Sequence, residues 1–372
     1  MIRYKEIKMA CVSDIHLGHR SNKTIDIVRR LREAFPDNAE TGELDIIFIA
    51  GDVFDSLLNL DDNPHIAEID YWISNLLNIC ANRNILIRVL KGTPSHDWDQ
   101  SQRFEIIKQI GNIPCNLKYV DNLEIEYISE LDINVLYIPD ELESTSEKTL
   151  SRVKTLIKSK GLEKVDYAIM HGQFEYQLPE FVKAQKHDSK AYLDLVNGLI
   201  FIGHVHKSSQ YGRIIAQGSF DRLSHGEEDP KGHMRATRKT DGTHDIVFIE
   251  NKKAKKYITI SCLYLPIEDA ISKIERVVAE LPSDSFVRLE LNKDHPLTSN
   301  MDVLVKTFPL FNWSKLIREE EEVFEELEVV EETFTAITLT SENIPNLLLN
   351  RLSTKISPEL IGLGESILKE CL

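Results

Sequence analysis

The chain has 372 residues, 42% of them hydrophobic and 28% charged, the profile of a globular protein long enough for two or three domains. With 16 glycines and 13 prolines it is neither collagen-like nor a linker, and no apolar run approaches the roughly 20 residues of a membrane span. A net charge of −16 argues against coating nucleic acid by bulk electrostatics. The charge is uneven, since 319–332 holds nine glutamates and no Lys or Arg, and metal ions can supply positive charge at a site.

In chain order, IKMACV (7–12) reads as a strand, and Asn22 to Phe35 as a helix stopped by Pro36. IIFIA between Asp45 and Gly51 reads as a strand buried on both faces. Pro64 to Arg83 carries apolar residues at helical spacing, with Asn63 as its cap. ILIRVL (85–90) is the next strand, followed by runs at 134–138, 166–170, 198–202 and 213–217, with a helix at 147–160 among them. Strands alternating with helices predict a layered α/β fold.

Around 250–265 the texture changes. NKKAKKYITI reads as the close of a final hairpin. An amphipathic helix (267–281) and strands at 286–291 and 313–318 then form a small α+β unit. The acidic run, a strand at 334–340 and helices at 343–352 and from Pro358 to about 370 complete the chain. The expected domains are 1–260, 261–340 and 341–372. The five scattered cysteines, without a CxxC pair, read as free thiols in a reducing compartment.

The chemistry-bearing residues fall at strand ends. The first strand ends in Asp14-Ile-His16, the second in Gly51-Asp52-Val-Phe-Asp55 and the third in Lys91-Gly-Thr-Pro-Ser-His96-Asp97. Those at 166–170 and 198–202 end in His171 and in Gly203-His204-Val-His206. In open α/β sheets that edge binds ligands. Asp14, His16, Asp52, His171, His204 and His206 mix carboxylate and imidazole, which suits Mn, Fe or Zn. They are too many for one tetrahedral ion. They suit two ions about 3.5–4 Å apart that clamp a phosphate and activate a water between them. Asp55 either orients a ligand or caps the following turn, and capping is the expectation. His19, His65, His187, His225, His233, His244 and His295 read as surface or core histidines.

These motifs resemble the D-x-H, G-D-x-x-D, G-N-H-D, H and G-H-x-H signature of the calcineurin-like metallophosphoesterases, over residues 8–206. Gly218-Ser-Phe-Asp-Arg-Leu-Ser-His-Gly-Glu-Glu228, with Lys231-Gly232, is similar to a segment of the SbcD-type DNA repair nucleases, a group that includes the phage recombination endonuclease subunit. The resemblance implies a metallophosphoesterase β-sandwich flanked by helices, with a small α+β capping domain and a C-terminal helical segment. It implies one metal on Asp14, His16, Asp52 and His206 and a second on Asp52, His171 and His204, with Asp52 bridging. Mn is the first choice, with Mg, Fe and Zn as alternatives. His96, held by Asp97, would stabilise the transition state or protonate the leaving oxygen.

The implied activity is exonuclease on duplex ends and endonuclease on single strands or hairpins. The implied partners are DNA, an SbcC-type ATPase docked on the C-terminal helices, and a second copy of the chain. MIRYKEIKMACVSD has no long apolar stretch ending in a small-residue cleavage site, so no signal peptide is expected and the expected location is cytoplasmic, in the host if phage-encoded. One departure stands out: the Asn of G-N-H-D is absent, and Ser95 takes its slot when the segment is aligned on His96. A stand-alone phosphodiesterase or phosphatase, and a non-catalytic scaffold of the same fold, remain the rival readings.

Overall fold

A computed structural model describes residues 4–58 and 65–318, all within one unit, Met1–Glu320. Its strands are β1 (Ile7–Val12), β2 (Ile46–Ala50), β3 (Leu86–Leu90), β4 (Leu117–Val120), β5 (Glu124–Ile128), β6 (Ile133–Ile138), β7 (Tyr167–Gly172), β8 (Ile200–His204), β9 (Ser209–Tyr211), β10 (Ile214–Ala216), β11 (Gly232–Arg238), β12 (His244–Glu250), β13 (Tyr257–Ser261), β14 (Phe286–Asn292) and β15 (Asn312–Arg318). The helices are α1 (Thr24–Ala34), α2 (Ala39–Gly42), α3 (Ile66–Arg83), α4 (Pro94–Asp97), α5 (Arg103–Ile110), α6 (Ser146–Ser159), α7 (Ser189–Leu195), α8 (Ile267–Val278) and α9 (Met301–Thr307).

The protein is mixed α/β. One six-stranded sheet runs β12-β11-β1-β2-β3-β4 and a second runs β5-β6-β7-β8-β10-β9. β1 to β4 are parallel, and so are β6, β7, β8 and β10; the antiparallel strands lie outside them. The sheets pack face to face. Met9, Cys11, Phe48 and Leu86 of the first share one buried cluster with Val135, Tyr137, Ile169 and Phe201 of the second. Full burial of a side chain such as Phe48 or Phe201 contributes about 1.5–3 kcal/mol. The outer face of the first sheet is covered by α1, α3 and α5 through Ile27, Leu31, Trp72, Leu76 and Phe104. The outer face of the second is covered by α6 and α7 through Val153, Ile157 and Tyr192. β2 is buried at every position, which is why its sequence is a continuous apolar run rather than an alternation.

Between the sheets lies a buried ion pair. Arg88 on β3 reaches Glu126 on β5 with Nη2 to Oε1 at 2.8 Å and Nε to Oε2 at 2.9 Å, and Tyr137 donates to Glu126 at 2.9 Å. α3 ends at Asn84, whose left-handed backbone lets its N–H close on Cys80 and Ala81. Asn63 and Pro64, expected to start that helix, lie outside the described residues.

The final hairpin is β11–β12, one element earlier than expected. Residues 257–261 instead form β13, an edge of a three-stranded parallel sheet, β13-β14-β15. The reason is packing: Ile260 joins the separate core of this small unit with Ala270, Ile274, Leu289 and Leu304. The four described cysteines are buried free thiols. No described helix is long and apolar enough to cross a membrane. The acidic run, the strand expected at 334–340 and both expected C-terminal helices lie outside the described residues.

Candidate metal centre

All six ligand-type residues converge where the C-terminal ends of β1, β2, β7 and β8 meet. The turn after β1 is locked onto the turn after β2, with Ile15 N and His16 N donating to Asp52 O at 2.8 and 3.1 Å. The Asp14 carboxylate accepts the His204 N–H at 2.9 Å. On the second sheet His171 is paired in register with Gly203, and Gly172 with His204. The close approach needs glycine: a Cβ at Gly51 would stand 2.1 Å from His171 Nδ1, and one at Gly92 would stand 2.1 Å from Asp52 Oδ1. Asp14, His16, Asp52 and His204 all hold positive φ, at 51°, 54°, 47° and 101°. Such backbone is strained for most residues and concentrates at functional sites.

Three clusters bring their ligand atoms within 4.8 Å of one another: Asp14, His16 and His206; His16, Asp52 and His96; and Asp52, His171 and His204. These buried His/Asp groups could hold a metal ion. The hydrogen bonds around them fit that role. His16 Nδ1 faces Asp55 at 3.1 Å, and His206 Nδ1 faces Glu227 at 3.1 Å. His171 Nδ1 faces the Ala50 carbonyl at 2.7 Å. A carboxylate or carbonyl can only accept, so each ring donates Nδ1–H and turns Nε2 into the pocket, the arrangement of a ligating histidine. There the His16 and His206 Nε2 atoms stand 3.1 Å apart. The fully buried His171 Nε2 has no hydrogen-bond partner, although Asp52 Oδ2 lies 3.2 Å away.

The electrostatics point the same way. Burial works to raise the Asp52 pKa, but His171, His96 and His16 overcome it and hold it far below the usual carboxylate range. Burial alone would depress His171, yet the Asp52 charge, with Asp14 and Asp140 behind it, pushes it up to about 10. Burial also opposes ionisation of Glu227, but His206 and Lys231 hold it down to about 2. His204 is lowered by burial and by His171. The pocket is a negative field lined with imidazoles, a setting that attracts cations.

Three expectations are corrected. Asp55 orients His16 rather than capping a turn. His96 is not held by Asp97: its Nδ1 lies 3.0 Å from Asp52 Oδ2, and that bond raises its pKa. The buried Asp97 carboxylate instead accepts from Gly92 N at 3.0 Å and from Ser101 N and Oγ at 3.0 and 2.8 Å, fixing the loop that carries His96. Ser95 does not fill the Asn slot. α4 begins at Pro94 and turns Ser95 out to solvent, while the buried Thr93 faces Asp52 with Oγ1 3.2 Å from Oδ2.

Sequence reasoning did not find Thr93, Asp140 or the role of Glu227. Glu227 lay inside the Gly218–Glu228 segment but had no assigned task. Its carboxylate gathers His206, Ser224 Oγ at 3.0 Å and the buried Lys231 at 3.3 Å, and Lys231 donates to the His206 carbonyl at 2.8 Å. The same segment reaches the small unit. Lys255 N donates to Asp221 at 2.7 Å, and His225 packs edge-on against Tyr257 at 5.2 Å.

No family model and no curated protein matches the chain. A solved structure aligns with 66% of this chain and 100% of its own length, at 11% identity and a TM-score of 0.39. At that score the likeness carries no argument about fold or function.

Proposed function

We propose that this chain is the metal-dependent nuclease subunit of an SbcCD-like DNA repair or recombination complex, with a metallophosphoesterase fold. The observation that carries the reading is the convergence of Asp14, His16, Asp52, His171, His204 and His206, drawn from four strand ends, into adjoining clusters linked in turn through His16 and Asp52. Asp14, His16, Asp52 and His206 would hold one divalent ion and Asp52, His171 and His204 a second, manganese being the first choice for this donor set. Such a pair supplies Lewis-acid polarisation of a phosphodiester and a water nucleophile at neutral pH.

The protein's own groups do the rest. Asp55 and Glu227 fix the tautomers of His16 and His206. His96 is 40% exposed on its side chain and lies beside the clusters. Its position and raised pKa suit donation of a proton to the leaving oxygen. The DNA-nuclease assignment over a general phosphodiesterase rests on the Gly218–Glu228 segment and on the small unit behind it. The resemblance also brings an SbcC-type ATPase and a second copy of the chain as partners.

The test is Mn-dependent degradation of end-labelled duplex DNA by the full chain, with and without an SbcC-type ATPase, and with His96→Ala as control. Degradation by wild type that the variant loses supports the reading. Hydrolysis of a small phosphodiester with intact DNA in both conditions favours the stand-alone enzyme. Inactivity on both substrates with no metal bound favours the scaffold.

A further inference from the structure

The loop from Gly92 to His96 is two residues longer than Gly-Asn-His, and α4 takes Ser95 away from the pocket. Beside His204 stand the Thr93 hydroxyl and a residue from another strand, Asp140, which follows Pro139 just past the end of β6. Thr93 Oγ1 lies 3.2 Å from each of Asp52 Oδ2, Asp140 Oδ2 and His204 Nδ1, and Asp140 Oδ2 is 3.5 Å from His204 Nδ1. A hydroxyl has one hydrogen. It can donate to one of the two carboxylate oxygens. Asp52 Oδ2 also has His96 Nδ1 at 3.0 Å and His171 Nε2 at 3.2 Å, whereas Asp140 Oδ2 has, beyond Thr93, His204 Nδ1 at 3.5 Å.

The rest of the geometry presents Asp140 to the same place. Its Oδ1 accepts the Glu141 N–H at 2.9 Å, which leaves Oδ2 directed at the Thr93–His204 side. The Asp140 side chain is only 16% exposed. The buried His171 Nε2, 3.2 Å from Asp52 Oδ2, faces the same pocket. An acidic oxygen and two imidazole nitrogens therefore border the place that the missing Asn would have completed.

We propose that Asp140 supplies the oxygen ligand of the second metal position, with Asp52, His171 and His204, and that Thr93 holds the two carboxylates in place. This rests on the metal-dependent reading above. A carboxylate replaces a neutral amide, so the second position gains a full negative charge and binds a hard divalent ion such as Mn more tightly than an amide-completed site would.

The experiment is a calorimetric Mn titration of the full chain, paired with thermal melting in chelator and in Mn, for wild type, Asp140→Asn and Asp140→Glu. Wild type should bind two equivalents. Asp140→Asn should keep the first and bind the second more weakly, since a neutral amide replaces a carboxylate, and Asp140→Glu should recover part of it. In chelator, Asp140→Asn should melt close to wild type, because relief of a like charge beside Asp52 offsets the lost attraction to the His171 and His204 rings. In Mn it should melt lower. That Mn-dependent loss separates a metal-linked residue from a purely structural one, which would lower both. Two equivalents at wild-type affinity in Asp140→Asn, or equal destabilisation with and without Mn, overturns the proposal while leaving the metal reading intact. A wild type that binds no divalent ion removes both.

Discussion

The Nε2 atoms of His16 and His206 face each other at 3.1 Å, while each ring turns its Nδ1–H to a carboxylate, Asp55 or Glu227. Two nitrogen lone pairs at that separation repel unless a proton or a cation lies between them. The expected outcome is that the protein melts higher in Mn, with roughly 2.7 kcal/mol of added stability at 100 times the dissociation constant. Differential scanning calorimetry with and without chelator measures it, and His206→Ala should lose much of the shift. A melting curve indifferent to divalent ions would remove the basis of the metal centre.

Asp55 should act on metal affinity rather than on folding. Its side chain is 25% exposed and its Oδ1 lies 3.1 Å from His16 Nδ1. Asp55→Asn should weaken Mn binding by about 10- to 100-fold and leave urea unfolding in chelator nearly unchanged. A large loss of stability in chelator would instead assign Asp55 to the structure of the turn.

The pair Arg88–Glu126 joins the two sheets. Glu126→Ala strands a guanidinium that is buried to within 4%, and should cost about 3–5 kcal/mol. The paired replacement Arg88→Met with Glu126→Leu should cost far less, because no uncompensated charge remains. Urea unfolding of the three variants decides it, and a double variant as unstable as the single one would count against this account.

His233 sets an acid limit. Burial lowers its pKa to about 3, with Arg235 adding to the effect. The folded chain keeps it neutral, while the unfolded chain protonates it below its ordinary value of about 6.5. Its contribution is therefore complete above pH 6.5 and is lost as pH falls toward 3. Between pH 7.5 and 5.5 it should account for about 1.4 kcal/mol of lost stability. Urea midpoints at those two values should show His233→Asn losing that much less than wild type. Equal losses would mean that the ring titrates normally in the fold.

The strands that position the site were legible because they are buried on both faces and end in charged residues. β2 is five apolar residues followed by Gly-Asp, and no surface segment could afford that pattern. β4 and β5 were not, because Leu-Lys-Tyr-Val and Glu-Ile-Glu-Tyr-Ile lie at or near sheet edges, where half the positions meet water. The motif residues declared themselves through spacing along the chain. Asp140 and Thr93 could not, since their relation exists only across β3 and β6. Ser95 was misplaced for a local reason: counting back from His96 ignores the helical turn that Pro94 starts, and one position along a turn rotates a side chain by about 100°. Asp55 was misread because its partner, His16, is on another strand end.

The left-handed backbone at Asp14, His16, Asp52 and His204 bears on how this pocket is probed. Asp, Asn and His tolerate that conformation better than other side chains, so each position makes two demands that one residue type meets. Alanine fails both: it deletes a donor atom and penalises the turn by roughly 1–2 kcal/mol. An alanine scan would therefore report lost ligation and a relaxed loop as a single number. Asparagine at Asp14 and Asp52 keeps the turn preference while changing the charge, and so reads the chemistry by itself.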